Sequence, residues 1–325
     1  MRFKSIIWRA LLLVGLSMFV PYTYAQNWPT SVVKLVVPYA PGGGTDLVAR
    51  LLAIKLTEQI GVNFIVENRP GGGGTLGSGF VARAVPDGYT LLVTAPEMSI
   101  DPSLRLSLPY DVSRDFAPIS QLTSGAYMLA ANPLVPVRTI EELVAAAKRE
   151  PDKFNYGSSG SGTINHLKGE LFRIMTGIQW QHIPYKGSGP SIVAAVGGEV
   201  QFVFASTTAL SPHILSGKLR GIGITGAERN SLLPNIPTIA ESGVPGYNVT
   251  GWYALFAPAG TPTEILNRIH AATKRALNDT AIRARLATSG NEPIASSPAE
   301  FAVFLRSEMD KWAGVIKTSG IQKIE

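Results

Sequence analysis

The sequence lacks cysteine altogether, and only 16% of its 325 residues are charged. Without cysteine there is no disulfide scaffold, no thiol nucleophile and no cysteine-ligated metal site. The G-x-S-x-G, G-x-x-x-x-G-K-[ST] and H-E-x-x-H motifs are absent too, and the four histidines are isolated from one another in the sequence. These absences favour a protein that is not an enzyme and that has no metal site and no cofactor.

What the sequence has instead is 45% hydrophobic residues, with 33 glycines and 23 prolines. This composition is typical of a globular chain with many turns, and the length suits two domains. No lysine or arginine run stands out, so no nucleic-acid partner is expected.

The first 25 residues resemble a secretory signal peptide. Three basic residues precede an apolar stretch at 10–20, which is too short to span a bilayer as a helix of about 20 residues. Small residues at Thr23 and Ala25 predict cleavage after Ala25 and therefore export. An uncleaved membrane anchor is the alternative. Loss of this segment lowers the net charge from +6 to +3.

Alternating strand and helix patterns fill the remaining chain. A β-branched run at 32–37 is followed by apolar residues at helical spacing over 47–56, and Gly61 is expected to end that helix. Together with a strand at 63–67, a helix at 75–84 and a strand at 89–94, this predicts a βαβαβ unit with a parallel sheet. Further strands are predicted at 155–157, 180–183, 200–204 and 220–225, and further helices at 139–148, 164–174, 261–277 and 297–317. Thr261 and Ser297, each followed by proline and by a glutamate three residues on, are expected to cap the last two helices.

Two apolar stretches at 117–131 and 247–257 are predicted to cross between two lobes. Lobe 1 then comprises 26–120 and 252–325, and lobe 2 comprises 121–251. The predicted fold class is therefore a two-lobed α/β fold with a cleft between the lobes. Loops at the carboxyl ends of parallel strands, where such sheets bind ligands, are expected to form the edges of this cleft.

A glycine-rich loop joins the first predicted strand to its helix and consists of Pro41, Gly42, Gly43, Gly44, Thr45 and Asp46. Glycine removes side chains from the path of a ligand, and the first amides of a helix have no intrahelical partner and lie at the positive end of its dipole. These properties predict an anion site without lysine or arginine. A loop that only connects, with Thr45 or Asp46 as the helix cap, is the alternative.

A second loop of this kind precedes the helix at 164–174 and consists of Ser158, Ser159, Gly160, Ser161, Gly162 and Thr163. Four charge-assisted hydrogen bonds from two facing loops supply about 6–12 kcal/mol, against about 4–15 kcal/mol lost on association. A closing cleft with two loops is therefore favoured over a single static loop. His166 either donates to the ligand or ties down its own loop, and Tyr185 is expected to line the cleft.

Several motifs in combination resemble the Bug-type periplasmic solute-binding proteins of tripartite tricarboxylate transporters, over essentially all of residues 28–320. The motifs are V-V-P-Y-A-P-G-G-G-T-D at 36–46, V-E-N-R-P-G at 66–71, P-D-G-Y-T-L at 86–91, L-P-Y-D at 108–111, N-Y-G-S-S-G-S-G at 155–162, I-P-Y-K-G-S at 183–188 and A-P-A-G-T-P at 257–262.

The resemblance implies a type II, Venus-flytrap periplasmic binding protein with two strands crossing at the hinge. It implies capture of a small carboxylated solute and its delivery to the membrane subunits of a transporter; we expect a monomer. In the family, the loops that match Tyr39 to Asp46 and Ser158 to Thr163 hold the ligand carboxylate through amides, hydroxyls and waters. A ligand-presenting partner of a membrane sensor kinase is the alternative function.

Two positions depart from the family pattern. Ala205 stands where an acidic residue often follows the strand at 200–204, so we expect a ligand without a cationic amine, such as a di- or aromatic carboxylate. Glu97 stands where small polar residues are usual, and three roles are open: it repels a second carboxylate, accepts a ligand hydroxyl, or faces solvent. A hydrolase using Ser159 or Ser161 with His166 is disfavoured, because no acid that would orient the histidine stands in a recognisable motif.

Overall fold

The computed structural model describes residues 28–324, so the predicted signal peptide at 1–25 lies outside the described residues. The strands are β1 (Val33–Val37), β2 (Phe64–Asn68), β3 (Thr90–Thr94), β4 (Phe116–Gly125), β5 (Tyr127–Ala131), β6 (Asn155–Ser158), β7 (Gln181–Pro184), β8 (Phe202–Ser206), β9 (Arg220–Ile224), β10 (Gly251–Pro258) and β11 (Asn291–Pro293).

The α-helices are α1 (Gly44–Ile60), α2 (Thr75–Ala82), α3 (Glu97–Leu104), α4 (Val112–Asp115), α5 (Ile140–Arg149), α6 (Ile164–Thr176), α7 (Ser188–Gly197), α8 (Thr207–Leu215), α9 (Thr263–Leu277), α10 (Thr280–Thr288) and α11 (Pro298–Ser319). Within residues 28–324, no helix has the length and apolar character needed to cross a membrane.

The strands form two sheets that repeat one pattern. The first sheet has the order β11-β4-β10-β3-β1-β2, and the second has the order β7-β6-β8-β5-β9. In each sheet three parallel strands, β2-β1-β3 or β7-β6-β8, are followed by an antiparallel strand, β10 or β5. The predicted two-lobed α/β fold is confirmed.

The chain passes between the sheets at two points. A single residue, Ala126, separates β4 in the first sheet from β5 in the second. The return passage lies between Val249 and Gly251. The Val249 amide donates to the carbonyl of Thr225, which follows β9, at 2.7 Å, and β10 of the first sheet begins at Gly251. β4 therefore stays in the first sheet as far as Gly125. The lobe boundaries at 120 and 252 remain predictions.

The C-terminal helix α11 packs into both lobes. Its first half places Phe301 and Leu305 in a core cluster with Trp252, beside the first sheet. Its second half places Trp312 and Val315 in the large core that also contains strands of the second sheet. This helix consequently links the lobes in addition to the two crossing strands, a role that the sequence pattern did not indicate.

Local signals decide where several helices begin and end. Gly61 has a left-handed φ of 80° and its amide bonds to the Thr57 carbonyl, which confirms the predicted end of α1. The predicted capping box at Ser297 and Glu300 is confirmed. The predicted cap at Thr261 is wrong: Pro262 precedes α9 without a side-chain cap, because the Thr261 hydroxyl donates to the Pro258 carbonyl at 2.8 Å.

Candidate functional site

A cavity of about 600 Å³ lies between the two lobes. From the first lobe it is lined by the start of α1, the turn before α3, β10 and the turn between α10 and β11. From the second lobe it is lined by the hinge at Ala126, by Tyr127, by the start of α8 and by Ile164 of α6. Among the described lining residues there is no lysine, arginine or histidine.

The start of α1 is the strongest anion-binding feature of this cavity. Gly43 precedes the helix, and no side chain caps it. Within the described chain, no hydrogen bond engages the amides of Gly43, Gly44 and Thr45. Because Gly42 to Thr45 line the cavity, the positive end of this helix dipole faces the space where a ligand would sit.

Asp46 is buried behind this loop and holds it in place. Its carboxylate accepts hydrogen bonds from the Gly42 amide at 3.0 Å, from Arg50 at 2.9 Å and from the Asn68 amide group at 3.0 Å. Burial alone would raise the pKa of Asp46, but the bonds from Arg50, Gly42 and Asn68 lower the pKa further than burial raises it. The side chain of Asp46 is therefore committed to the loop.

Three tyrosines surround the α1 start, and one of them requires a glycine there. A Cβ atom at Gly44 would lie 2.0 Å from the hydroxyl oxygen of Tyr253, so a larger residue collides with this ring. Tyr39, Tyr127 and Tyr253 all line the cavity. The hydroxyls of Tyr127 and Tyr253 make no hydrogen bond to other described residues, which leaves them available to a ligand.

Glu97 lies in the cavity, in the first turn of α3. Of the three roles left open for Glu97, a position on the outer surface is not what the structure shows, because the residue is half-buried in the lining of the cavity. Burial raises the pKa of the Glu97 carboxyl, while its own amide, the Tyr39 hydroxyl and Lys168 act in the opposite direction. The Tyr39 hydroxyl donates to Glu97 Oε2 at 3.2 Å.

The second predicted loop, Ser158 to Thr163, forms hydrogen bonds mostly within itself. The Gly160 amide donates to the Ser158 hydroxyl at 3.1 Å, and the Thr163 hydroxyl donates to the Gly160 carbonyl at 2.7 Å. The hydroxyls of Ser159 and Thr163 are 3.1 Å apart. Like α1, α6 lacks a side-chain cap, yet of this segment only Ile164 lines the cavity.

His166 takes the second of the two roles left open for it. Its Nδ1 accepts a hydrogen bond from the Gly162 amide at 3.0 Å, and its ring stacks on His182 at 3.8 Å. Burial lowers the pKa of His166 to about 4. His166 is thus a neutral residue that ties down its own loop, and it contacts neither Ser159 nor Ser161 as a hydrolase would require.

The structure therefore brings together five of the predicted site residues: Tyr39, Gly42, Gly43, Gly44 and Thr45. The others lie outside the cavity lining: Pro41, Asp46, Ser158, Ser159, Gly160, Ser161, Gly162, Thr163, His166, Tyr185 and Ala205. Ala205 is fully buried within β8, opposite Met128. Ala205 does not line the cavity, and the expectation of a ligand without an amine stays a prediction. Ligand contacts of the remaining residues stay predictions.

Sequence reasoning missed most of the cavity wall outside the α1 start. It consists of Tyr127, Ser206, Thr208, Ala209, Trp252, Tyr253, Ser289, Gly290 and Asn291. These residues come from four separate parts of the chain, and their meeting depends on the hinge. The Ser-Gly-Asn segment at 289–291 and the polar residues at 206–208, where β8 ends and α8 begins, were the signals available in the sequence.

Two α/β lobes that are joined by crossing strands and enclose a cavity define a bilobal solute-binding protein. The model of the tripartite tricarboxylate transporter family receptor matches residues 48–321, and the chain belongs to this family. The expected family resemblance is confirmed. Proteins of this family are periplasmic and bind solutes, and they are not enzymes.

Individual relatives agree with this assignment. The chain is 34% identical to protein BugT of Bordetella pertussis over 298 residues, which cover 91% of each chain. A Rhodopseudomonas palustris protein solved with adipate is 35% identical with a TM-score of 0.78, covering 92% of this chain and 100% of that one. MatC from the same species, solved with bound malate, is 32% identical with a TM-score of 0.73, covering 89% and 100%.

Proposed function

We propose that this protein captures a small carboxylated organic solute in the cavity and delivers it to the membrane subunits of a tripartite tricarboxylate-type transporter. The observation that carries this proposal is the α1 start, whose uncapped amides line a cavity without basic side chains. An anion placed there gains hydrogen bonds and the helix dipole together. Relatives solved with adipate and malate support a carboxylate as the bound group.

The arithmetic of binding requires contacts from both lobes. Amides of Gly43, Gly44 and Thr45 donating to one carboxylate supply about 4.5–9 kcal/mol gross at about 1.5–3 kcal/mol each. Association costs about 4–15 kcal/mol, so the α1 start alone holds a ligand weakly. Hydroxyls of Tyr127, Ser206 and Thr208 supply the remaining donors from the second lobe.

Closure of the lobes follows from this division of contacts. A ligand that contacts both lobes binds more tightly when the lobes are close together than when they are apart. It therefore stabilises the closed state. The first lobe comprises 26–120 and 252–325 and the second 121–251 in this proposal, with the hinge at the two crossings. The loop at 158–163 reaches the ligand only if the lobes rotate further.

Export is the second part of the proposal. A signal peptide at 1–25, cleaved after Ala25, exports the mature protein to the periplasm. We expect it to act there as a monomer. N-terminal sequencing of the protein from a periplasmic extract tests this step, and a chain that still begins with Met1 contradicts it.

Thermal-shift screening against a panel of carboxylates tests the ligand class. A ligand at 100 times its Kd adds about 2.7 kcal/mol to the free energy of unfolding, so the matching carboxylate raises the melting temperature by several degrees. Uncharged analogues, such as the corresponding amides, are the matched controls. A shift with the amides and none with any carboxylate contradicts the proposal. Uptake of the labelled ligand into vesicles with the transporter subunits, with and without the protein, tests delivery.

A further inference from the structure

Glu97 is the only carboxyl group among the described residues that line the cavity. The other polar side chains there are those of Tyr39, Thr45, Tyr127, Ser206, Thr208, Trp252, Tyr253, Ser289 and Asn291. Every one of these carries an N–H or O–H group and can donate a hydrogen bond, whereas an ionised carboxylate only accepts. The cavity wall is thus rich in donors with one acidic exception.

The acceptor capacity of Glu97 is only partly used. A carboxylate offers about four lone-pair sites on two oxygens. The Tyr39 hydroxyl donates to Oε2 at 3.2 Å, and the backbone amide of Glu97 supplies a second bond. No further hydrogen bond joins Glu97 to another residue in the described part of the chain, so capacity remains on the side that faces the cavity.

Within residues 28–324, no ion pair joins a cation to this carboxyl group. Lys168 is the cation that lowers the pKa of Glu97, but it is fully buried, 2.9 Å from the centre of the Tyr127 ring, and among the described residues it makes no ion pair with Glu97. Asp101, one turn along α3, is already paired with Arg105 at 3.0 Å. The other titratable groups that act with Glu97 are the tyrosines 39, 127 and 253.

We propose that Glu97 determines specificity by selecting solutes that carry, beside their carboxylate, an amino or hydroxyl group that donates to its side chain. The inference rests on the proposed function. It assigns a different part of the ligand to each end of the cavity. The α1 start takes the ligand carboxylate, and Glu97 takes a donor on the ligand body. A ligand without such a donor leaves a buried acceptor unpaired or sets two carboxylates against each other. The expectation of a ligand without an amine is thereby reversed.

Titration calorimetry with matched ligands tests this assignment. Succinate, malate and aspartate differ only in the substituent at one carbon: hydrogen, hydroxyl or ammonium. Glutarate, 2-hydroxyglutarate and glutamate repeat the series one carbon longer, and benzoate, 4-hydroxybenzoate and 4-aminobenzoate repeat it on an aromatic ring. In the wild-type protein, the hydroxyl or amino member of the best-fitting series binds at least tenfold more tightly than the unsubstituted parent.

Glu97→Gln separates the two kinds of donor. The glutamine keeps an acceptor oxygen but loses the charge, so the preference for the hydroxyl member falls about threefold and the preference for the ammonium member at least tenfold. Glu141→Gln removes the same charge from an exposed position on α5 and leaves every Kd unchanged. If Glu97→Gln does not fold, Glu97→Asp keeps the acid and retains the direction of the preference.

The outcomes separate this inference from the function on which it rests. A wild-type protein that prefers the unsubstituted parents, or a Glu97→Gln variant that keeps the full preference, overturns the role of Glu97 and leaves carboxylate capture standing. Loss of binding by every carboxylate in all three series overturns both.

Discussion

Substitution of Gly44 by alanine isolates the contribution of the cavity wall at α1. The backbone at Gly44 is helical and therefore accepts alanine, but the new Cβ would lie 2.0 Å from the Tyr253 hydroxyl and 2.9 Å from the ring carbon that bears it. Real Cβ contacts are essentially never under 3.0 Å, so the hydroxyl must retreat by about 1 Å or more. Because the ring is rigid, this movement takes the whole phenol away from its position beside the helix start.

The expected cost falls on binding and not on folding. A lost hydrogen bond to a charged group is worth about 1.5–3 kcal/mol, which weakens binding about 10- to 150-fold at 1.4 kcal/mol per tenfold. Alanine in a helix is favoured over glycine by about 1 kcal/mol, which offsets part of the steric strain in the free energy of unfolding. Calorimetry with the tightest-binding carboxylate and urea unfolding measure the two quantities separately.

Gly314→Ala is the matched control for that experiment. Gly314 is exposed in α11, and a Cβ there meets no atom within 4 Å. The Gly314→Ala variant is expected to gain helix propensity and to bind the carboxylate with an unchanged Kd. An unaltered Kd in Gly44→Ala would refute the reasoning that the α1 start and Tyr253 together hold the ligand.

Three further predictions follow from contacts around the site. Asp46→Ala frees the Gly42 amide and is expected to lower the free energy of unfolding by about 1–3 kcal/mol and to weaken carboxylate binding; equal Kd values in calorimetry would contradict this. Burial lowers the pKa of His166 to about 4, below about 6.5 in the unfolded chain, so stability is lost as the pH falls through this window. The expected loss between pH 7 and 5 is about 1–2 kcal/mol in urea unfolding, and a His166→Asn variant with the same pH slope would contradict it. At Gly290, a Cβ would lie 1.8 Å from the Thr208 hydroxyl across the cavity, so Gly290→Ala is expected to hold the lobes apart. X-ray scattering of the ligand-bound variant should then give a larger radius of gyration than that of the ligand-bound wild type. Equal radii would contradict this prediction.

Much of the fold could be predicted because its signals are local. Strands such as β1 are short β-branched runs, and helices such as α1 end at a glycine whose positive φ suits no other residue as well. Helices α3, α4, α7, α8 and α10 were missed. Each is short, and α3 contains Pro102, which disguises the helical pattern. The sharing of α11 between lobes depends on tertiary packing, which periodicity does not reveal.

The candidate site likewise has one part that could be predicted from the sequence and one part that could not. The α1 start was predictable, because a glycine loop, a strand before it and a helix after it are adjacent in the sequence. Tyr127 and Tyr253 were missed, because they meet the loop only through the two crossing strands. The importance of Glu97 also depends on enclosure, since the sequence alone does not distinguish a solvent-facing glutamate from one that lines a cavity.

The two glycine loops show why similar sequences differ in structure. Both precede helices without a side-chain cap. In the second loop, however, the hydroxyl of Ser158 and the ring of His166 accept bonds from the loop amides, so fewer donors remain for a ligand. In the first loop, the Gly42 amide donates to Asp46 and no other loop amide has a partner among the described residues. Partner residues within hydrogen-bond reach thus decide which glycine loop keeps free amides.

The most direct test of the account is a crystal structure of the complex with the tightest-binding carboxylate. We predict carboxylate oxygens at about 2.7–3.2 Å from the amide nitrogens of Gly43, Gly44 or Thr45, with no lysine or arginine side chain in contact. A carboxylate held by basic side chains, or bound elsewhere in the cavity than at the start of α1, would contradict the account.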